Sequence, residues 1–520
     1  MYSKTTPLLE PLGNYIDGSF VEVRDKIGEL VSQSPADQTD VLGVFPYSYR
    51  AAEDATQAAQ RAFQEWKNTS LDYRVNLLKK YQEILRKKES FLAEAIAREV
   101  GKPLWEAKQE VATMINKVDV TLNEGMRNIT DYEIPGVMDN TRGACRFRPY
   151  GVFVVLGPFN FPGHLPNGHI VPALVTGNTV VFKPSEKSCA VGQIIAEAFH
   201  EAGFPKGVFN LIQGEKEVGR RLVVSERVNG VLFTGSYEVG LKIKQDTIHQ
   251  YWKLLVLEMG GKNAALVLED ANLDCAVYET LISSFLTAGQ RCSATSRILV
   301  HRSIFDSFVK SFHERAKAFS IGHPLEDPFM GPLIDRNAVE KYLKFLGIAT
   351  REGCDVIMRG KVLEFPFKGF YVTPSICLVR QQQLSSIRKS VYQQTEIFGP
   401  NVAIYVFDQI EEAVNIANAT QYGLVFSVFT ASEEQYKAVA QNLQAGLINW
   451  NRGTIGASSK LPFGGLKRSG NHFPTAISAT SYCTYPVASL EVAEPKKSSE
   501  DLLTASPTKS NKKFPGLNWS

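Results

Sequence analysis

The sequence predicts an α/β protein in which parallel sheets are covered by helices on both faces. Short apolar runs rich in Val and Phe recur through the chain, among them GVFVVLG, NTVVFKPS, GVFNLIQG and GVLFTGS. Helix-like segments such as KSCAVGQIIAEAFHEAG lie between these runs. Continuous apolar strands that alternate with helices are typical of a parallel sheet buried on both sides. This is the α/β architecture of dinucleotide-binding folds.

The region before these strands is predicted to be helical, from about Ala51 to Asn128. YRVNLLKKYQEILRKKESFLAEAIAREVG places apolar residues three and four positions apart, as on one face of a helix. Gly101 suits a helix C-cap and Pro103 follows it. The next segment, IPGVMDNTRGACRFRPYG, is turn-rich with short alternating stretches. It separates the helices from the first apolar strand.

A second α/β region is predicted from about Gly261 to Trp450. Its strand candidates are NAALVLED, RILVH and NVAIYVF. The chain then ends in AEPKKSSEDLLTASPTKSNKKFPGLNWS, which is rich in Ser, Lys and Pro and is expected to be a solvated tail.

Length and composition exclude several classes of protein. A chain of 520 residues is too long for one core, so two or three packed units are expected. A net charge of +3 gives no case for nucleic acid or an anionic membrane. We expect no membrane span, because no apolar run approaches the required length. The seven cysteines form no CxxC pair, which predicts no disulfide framework, no metal site and a cytoplasmic protein.

The segment TAGQRCSATSR carries Cys292 among small and polar residues. A free cysteine is most often a small buried hydrophobe, as Cys377 in SICLV is expected to be. A nucleophilic thiol instead needs a partly polar setting that favours the thiolate. The neighbours of Cys292 therefore make it the candidate nucleophile.

Two other segments offer partners for that thiol. In GPFNFPGHLPNGH, Asn160 lies in a turn after an apolar strand and could donate to a developing oxyanion, although Asn also simply suits a turn. In LEMGGKNAALV, Glu258 ends an apolar run, where burial would raise its pKa and suit a general base. A lone Glu is more often a solvated charge.

Lys183 and Glu186, in FKPSEKS, could bond the hydroxyl groups of a ribose. Glu186 would repel a 2′-phosphate, which favours NAD over NADP. Glu396 and Phe398, in TEIFGPN, could contact a second ribose and a nicotinamide face, although a strand entry fits the segment equally well.

A turn that suits a pyrophosphate occurs in FTGSYEVG, between a predicted strand and a predicted helix. Its candidate residues are Gly235, Ser236 and Gly240. Backbone N–H groups at a helix start bind phosphate groups, although the spacing is not that of GxGxxG.

Taken together and in order, these segments resemble the NAD(P)-dependent aldehyde dehydrogenase superfamily. The resemblance runs from about Tyr15 to Glu491 and is carried by GPFNFP, FKPSE, FTGS, LEMGGKN, GQRCS, EIFGP and PFGGLKRSG. It implies an aldehyde dehydrogenase-like fold with a Rossmann-like cofactor domain, an α/β catalytic domain and a small β oligomerisation arm. The implied boundaries are 1–127 and 149–257 for the cofactor domain, 258–470 for the catalytic domain, 128–148 and 476–491 for the arm, and 492–520 for the tail. Strands of the arm that pair between subunits would form a homodimer or homotetramer.

The resemblance also implies a mechanism. Cys292 attacks the aldehyde, Asn160 holds the oxyanion, NAD accepts hydride, and Glu258 activates the water that releases the acid. A catalytically silent relative is disfavoured because all three residues are present. A relative that transfers the acyl group to coenzyme A is disfavoured by Glu258, which indicates hydrolysis.

The aldehyde is expected to be long and polar, because GHLPNGH follows GPFNFP where many relatives carry bulky apolar residues. His164 makes this segment polar, and four further candidates for substrate contact are Arg291, Ser293, Arg452 and Ser459. Arg291 could equally point into the protein and pair with an internal carboxylate.

Four segments resemble the N-succinylglutamate 5-semialdehyde dehydrogenases of arginine catabolism within this superfamily. They are GPFNFPGHLPNGHIVPAL, EVATMINKVDV, NWNRGTIGASSKLPFGG and SGNHFPTAISATSYCTYPVASLE. This resemblance implies oxidation of that semialdehyde with NAD. AGQRCSA is also similar to the glutamate semialdehyde (1-pyrroline-5-carboxylate) dehydrogenases, which makes their substrate the alternative.

Overall fold

The computed structural model describes residues 8–380, 386–474 and 476–493. None of the helices in these ranges has the length and apolar character needed to cross a membrane. The predicted tail lies outside the described residues from position 494 onward.

The helices form where apolar residues recur at helical spacing, and the first four cover the predicted N-terminal helical region. In chain order the helices are α1 (Arg50–Trp66), α2 (Leu71–Lys87), α3 (Glu89–Val100), α4 (Leu104–Asn123), α5 (His164–Val175), α6 (Cys189–Glu201), α7 (Lys216–Val224), α8 (Tyr237–Asp246), α9 (Leu273–Phe285), α10 (Phe305–Lys317), α11 (Arg336–Arg351), α12 (Val391–Gln394), α13 (Ile410–Asn418), α14 (Glu433–Ala440) and α15 (Ala479–Tyr482). The predicted cap is confirmed, because Gly101 ends α3 in the left-handed conformation with φ of 75°. Pro103 then precedes α4.

Seven strands coincide with the apolar runs named from the sequence. In chain order the strands are β1 (Asn14–Ile16), β2 (Ser19–Val21), β3 (Gly28–Gln33), β4 (Val41–Tyr47), β5 (Tyr132–Met138), β6 (Thr141–Pro149), β7 (Val152–Leu156), β8 (Thr179–Lys183), β9 (Phe209–Leu211), β10 (Gly230–Gly235), β11 (Leu254–Met259), β12 (Asn263–Val267), β13 (Thr295–His301), β14 (Asp355–Met358), β15 (Ser375–Leu378), β16 (Asn401–Phe407), β17 (Tyr422–Gly423), β18 (Val425–Phe429), β19 (Leu447–Trp450), β20 (Leu466–Lys467) and β21 (Thr484–Glu491). The seven that coincide with those runs are β7, β8, β9, β10, β12, β13 and β16.

The first large sheet has the order β11-β10-β7-β8-β9-β1-β2. Its first five strands are parallel, whereas β1 and β2 join as antiparallel strands at one edge. The central strands are apolar along their length because helices pack on both faces. All five parallel strands therefore end at the same edge of the sheet, where α/β folds place their sites.

The second large sheet has the order β14-β15-β16-β13-β12-β18-β19. Its strands are parallel apart from β14, which pairs antiparallel with β15. Two buried apolar clusters lie on its two faces. The predicted α/β fold class is thus confirmed, with two parallel-type sheets.

The chain separates into two compact units. The first comprises residues up to Ile129 together with Arg148–Tyr485, and it contains both large sheets. The second comprises Thr130–Phe147 and the chain from Pro486 onward. It is built on the three-stranded sheet β21-β6-β5. The boundaries between the predicted cofactor domain, catalytic domain and arm stay a prediction.

Candidate active site

A cavity of about 610 Å³ lies where β7, β8, β10 and β11 end. We call it the strand-end cavity. Nine of the residues singled out from the sequence line it: Asn160, Lys183, Glu186, Gly235, Ser236, Glu258, Cys292, Glu396 and Phe398. They come from segments far apart in the chain, which the parallel strands and the loop before β13 bring to one place.

Cys292 lies in the loop between a 3₁₀ turn (Leu286–Gly289) and β13. Two residues of that turn have positive φ, Thr287 at 56° and Ala288 at 54°. Such backbone conformations are strained for residues with a Cβ and persist only where surrounding contacts hold them. On the other side, Asn263 donates from Nδ2 to the carbonyl oxygen of Cys292 at 2.7 Å. The position of the thiol is therefore imposed by tertiary contacts.

Glu258 lies near the end of β11, is 1% exposed, and neither carboxylate oxygen has a hydrogen-bond partner among the described residues. Burial raises the pKa of Glu258 to about 8. The neighbouring Cys292 thiol acts in the opposite direction, and the charge of Glu396 adds to the rise. A carboxyl group with this pKa can both accept and release a proton near neutral pH.

Burial also raises the pKa of the Cys292 thiol well above its usual range. The negative charges of Glu258 and Glu396 act in the same direction, and the backbone N–H of Ser293 opposes them. The polar neighbours in the sequence had led us to expect a setting that favours the thiolate, and the protein around the thiol does not provide it. The Cys292 thiol favours the ionised form of Glu258, whereas the Glu258 charge disfavours the thiolate of Cys292, so the two groups titrate as a coupled pair.

Asn160 lies in the loop between β7 and α5 and is 5% exposed. Its Nδ2 donates to the carbonyl oxygen of Gln290 at 2.9 Å, two residues before Cys292. An amide nitrogen carries two hydrogens, so this bond leaves one for another acceptor in the cavity.

The cofactor candidates lie along the same cavity. Lys183 ends β8, is 6% exposed, and donates from Nζ to the carbonyl oxygen of Pro184 at 3.1 Å. Burial lowers the pKa of Lys183, and the Glu186 carboxylate is the first of the groups that oppose this effect. Ser236 caps α8 by accepting a hydrogen bond from the backbone N–H of Val239. The free N–H groups of that helix start face an anion-binding position.

Glu396 and Phe398 line the part of the cavity next to Cys292. Glu396 Oε1 accepts a hydrogen bond from the backbone N–H of Gly261 at 2.9 Å. Burial raises the pKa of Glu396 to about 7, and the Gly261 N–H and the Lys341 charge oppose the rise. The Phe398 ring meets that of Phe159 edge-on, with 5.8 Å between centroids.

Gly240 does not line the strand-end cavity. It lies in α8, where an added Cβ would come within 2.3 Å of the Met259 sulfur. Its position is explained by close packing of α8 on β11.

The five substrate candidates do not line this cavity within the described residues. Arg291 points inward: its Nη2 donates to Glu106 Oε1 at 2.6 Å, and its Nε donates to Thr287 Oγ1 at 2.8 Å. The sequence left open whether Arg291 contacts substrate or pairs with an internal carboxylate, and the structure shows the pair with Glu106. Arg452 is exposed and Ser459 half-buried.

The two remaining substrate candidates are Ser293, which follows Cys292 in the chain, and His164. Ser293 is half-buried, and its carbonyl oxygen accepts from Thr454 Oγ1 at 2.6 Å. His164 begins α5, and its Nδ1 is buried without a hydrogen-bond partner among the described residues.

Several residues of the site were missed by the sequence reasoning. Gln290 holds Asn160, and Lys341 donates from Nζ to the carbonyl oxygen of Glu396 at 2.8 Å. Lys216, Arg220 and Lys242 also line the cavity. A single Lys or Arg on a helix has no neighbouring sequence pattern that marks it as part of a site. Only the fold brings these residues together. No group of three or more His, Cys, Asp and Glu side chains suited to a metal occurs in the described part of the chain.

The chain as a whole is similar to known proteins of one family. A family model described as the aldehyde dehydrogenase family matches residues 22–485. The N-succinylglutamate 5-semialdehyde dehydrogenase of Legionella pneumophila (strain Corby) is 38% identical over 488 residues, covering 93% of this chain and 96% of that protein. The enzyme of the same name from Novosphingobium aromaticivorans is 37% identical over 474 residues, covering 90% and 98%.

Two solved structures have closely similar folds. A 1-pyrroline-5-carboxylate dehydrogenase from Thermus, solved with bound NAD, has a TM-score of 0.86 and 31% identity and covers 93% of both chains. Lactaldehyde dehydrogenase from Escherichia coli has a TM-score of 0.86 and 30% identity, covering 94% of this chain and 100% of that one.

Proposed function

The chain belongs to the aldehyde dehydrogenase family, and from this premise we propose that it oxidises N-succinyl-L-glutamate 5-semialdehyde to N-succinyl-L-glutamate with NAD. The observation that carries the choice of aldehyde is the agreement among relatives at 37% to 39% identity, which bear the name of that activity. The chemistry is supported by the strand-end cavity, where a thiol, a carboxyl group and an amide lie together.

Cys292 would attack the aldehyde carbon as the thiolate, after its thiol proton has passed to water. The free hydrogen of the Asn160 amide and the backbone N–H of Cys292 would then donate to the carbonyl oxygen as it becomes negative. The bond from Asn160 to Gln290 supports this role, because it holds the amide in place before the substrate arrives. When bound, NAD supplies the acceptor for the hydride that leaves the substrate carbon. The acyl group then remains on the Cys292 sulfur as a thioester.

Glu258 would remove a proton from the water that attacks this thioester, and the acid would leave as Cys292 is regenerated. Its pKa of about 8 supports this role, because a fraction of the carboxyl group is ionised at neutral pH and the ionised form is a strong base. The absence of a hydrogen-bond partner on either carboxylate oxygen among the described residues leaves both oxygens available to water.

The cavity residues fit NAD in their chemistry and placement. Lys183 and Glu186 would bond the adenosine ribose, and the start of α8 at Ser236 would receive the pyrophosphate. Glu396 would bond the nicotinamide ribose, and Phe398 would pack beside the ring. The cavity extends from Glu186 to Cys292, as an extended dinucleotide requires.

L-Glutamate 5-semialdehyde is the alternative substrate. It is favoured by the likeness to 1-pyrroline-5-carboxylate dehydrogenase at 31% identity. That aldehyde has the same carbon skeleton without the succinyl group, so both would present the same reacting carbon to Cys292.

Assembly and location are further parts of the proposal. The apolar side chains Tyr132, Ile134, Val137 and Met138 of β5 are exposed, which supports pairing between subunits in a homodimer or homotetramer. Light scattering at micromolar protein would refute this by showing a monomer. The seven free cysteines support a reducing compartment, the cytoplasm.

The test is initial NADH production with the two semialdehydes in parallel, using wild type, Cys292→Ala and Cys275→Ala. Cys275 is a half-buried thiol on α9 and serves as the control. The proposal expects at least about ten-fold higher kcat/KM for the succinyl compound, about 1.4 kcal/mol in transition-state binding. It also expects an inactive Cys292→Ala and an active Cys275→Ala. A higher value for glutamate semialdehyde, or NAD binding without turnover of either aldehyde, would overturn the choice of substrate. A rate that depends on coenzyme A would overturn hydrolysis.

A further inference from the structure

Lys117 is a buried cation for which the described part of the chain supplies no counter-ion. It lies on α4 and is 2% exposed. Within the described residues no carboxylate forms an ion pair with its ammonium group, and no hydrogen-bond partner of that group is found. Burial lowers the pKa of Lys117 to about 8, and no neighbouring carboxylate offsets this effect. Burial of a charged ammonium group costs free energy unless an anion pairs with it.

The other charges between α4 and α5 are matched in pairs. Lys102 pairs with Glu110 in a fully buried ion pair. Arg291 pairs with Glu106, whose side chain is 2% exposed. Lys117 is therefore the excess positive charge of this buried cluster.

Lys117 faces the first turns of α5. An added Cβ on Gly168 would lie 3.4 Å from Lys117 Cε and 3.7 Å from Nζ, so the end of the Lys117 side chain lies next to the backbone of Gly168. The positive charge of Lys117 also lowers the pKa values of His164 and His169, although burial is the larger cause for both. The Lys117 ammonium thus lies within electrostatic reach of both rings.

His164 is the second unsatisfied polar group of this cluster. Its Nδ1 is buried and has no partner among the described residues, whereas both ring nitrogens of His169 lie within hydrogen-bond distance of hydroxyl groups. Burial and the nearby lysines hold the pKa of His164 at about 3, so the ring is neutral and one nitrogen carries a hydrogen. An anion between the two helices could accept from both Lys117 and His164.

The cluster is connected to the reacting thiol. His164 meets the Phe161 ring edge-on at 6.4 Å between centroids, and the Arg291 guanidinium lies over the same ring at 5.0 Å. Arg291 precedes Cys292. Lys117 is about three turns of α4 beyond Glu106, about 16 Å at 1.5 Å per residue. The Lys117 side chain leans back along α4 towards Glu106, because helical side chains point towards the N-terminus.

The proposed substrate carries a carboxylate at its far end. Eight bonds separate the aldehyde carbon of N-succinylglutamate semialdehyde from the succinyl carboxyl carbon, about 10 Å in an extended chain. We propose that Lys117, assisted by His164, binds the distal carboxylate of the aldehyde substrate. The identity of that carboxylate as the succinyl group rests on the proposed function, whereas recognition of a distal carboxylate does not.

The experiment compares two aldehydes that differ only in a terminal carboxylate, 9-oxononanoate and nonanal. Their chain places the carboxylate eight bonds from the aldehyde, as in the succinyl compound. kcat/KM is measured for wild type, Lys117→Met and Lys108→Met. Lys108 is an exposed lysine on the same helix and serves as the control.

Lys117→Met should lower kcat/KM for 9-oxononanoate by about 10- to 100-fold, the range for a lost hydrogen bond to a charged group. The value for nonanal and the Kd for NAD should stay within about three-fold of wild type, and Tm should not fall, because Met fills the space of Lys without its buried charge. Lys108→Met should leave both aldehydes unchanged.

If Lys117→Met lowers kcat/KM equally for both aldehydes, or lowers neither, the ratio of the two values is unchanged and the proposal is overturned. An equal loss would show that Lys117 only supports the fold. The same variants are assayed with N-succinylglutamate semialdehyde. If wild type does not turn over that compound, the proposed function fails, but the comparison of 9-oxononanoate with nonanal still decides the role of Lys117.

Discussion

Asn160 donates a hydrogen bond to the carbonyl oxygen of Gln290 at 2.9 Å, across 130 positions of sequence. This bond joins the turn after β7, in the first large sheet, to the strained segment that carries Cys292 and leads into the second. The amide and the thiol are thereby held in one arrangement by the protein itself. Such preorganisation is what allows a hydrogen-bond donor to stabilise a transition state.

Asn160→Ala should lower kcat by about 100-fold or more, the usual effect of removing one oxyanion donor. The Kd for NAD should change little, because the backbone of the turn and Lys183 remain. Stopped-flow NADH formation and fluorescence titration with NAD measure the two quantities. A kcat within about three-fold of wild type would remove Asn160 from the mechanism.

Glu258→Gln should slow release of the acid more than formation of NADH. The amide side chain cannot accept a proton from water, so the thioester should accumulate. A burst of NADH of about one per active site, followed by a slow steady rate, is the expected trace. Glu411→Gln, an exposed carboxylate on α13, is the control and should behave as wild type. Loss of the burst together with the steady rate would contradict a role confined to hydrolysis.

The pKa of Glu258 also predicts a pH dependence of stability. The group titrates at about 8 in the folded protein and at 4.5 when unperturbed, so the unfolded state gives up this proton first as pH rises. The protonated Glu258 therefore stabilises the folded protein below pH 4.5, and this stabilisation is lost as the pH rises to about 8. Glu258→Gln has no such proton, so its Tm relative to wild type should increase from pH 5 to pH 8 and then level off. A difference in Tm that is constant over this range would show that the pKa is not raised.

Arg291→Met should destabilise the fold by about 3 kcal/mol, because it leaves the Glu106 carboxylate buried without its partner. The double variant Arg291→Met/Glu106→Gln should recover part of this loss. Urea unfolding of both variants measures the difference. Arg452→Met, at an exposed arginine, should change the free energy of unfolding by less than about 0.5 kcal/mol. If Arg291→Met unfolds at the same urea concentration as wild type, the buried pair contributes nothing to stability.

Glu186→Gln should relax the preference for NAD over NADP by about ten-fold in the ratio of kcat/KM values. The carboxylate would repel a 2′-phosphate, whereas the amide would not, and Lys216 and Arg220 line the same cavity. Steady-state rates with both cofactors give the ratio, which is independent of enzyme concentration. An unchanged ratio would mean that Glu186 does not meet the 2′-position.

The sequence was sufficient for features that depend on local patterns. The apolar run NVAIYVF coincides with β16, and Gly101 ends α3 as its position before Pro103 predicts. These features follow from the burial of both faces of a strand and from the freedom of glycine at positive φ. The segments around Asn160, Glu258 and Cys292 indicated the family, because each is a short local motif and together they occur in the order typical of that family.

Features that depend on contacts between residues far apart in the sequence could not be predicted from local patterns. The small polar neighbours of Cys292 suggested a thiolate, but burial and the charges of Glu258 and Glu396 oppose it. Gly240 was predicted to be part of a phosphate-binding turn, and the structure adds that it packs closely against Met259. In both cases the deciding groups come from other strands and loops.

The sequence by itself determined the α/β class, the family and the residue types of the reacting groups. Only the tertiary structure decided that Arg291 turns inward to Glu106, which lies 185 positions away, and that Lys117 is buried with no counter-ion in the described part of the chain. The physical reason is that the pairing and solvation of a charge depend on which groups the packed helices bring near it. The spacing of residues in the sequence predicts which side chains are neighbours on one helix or strand. It does not predict which side chains of α4, α5 and the loop before β13 come into contact.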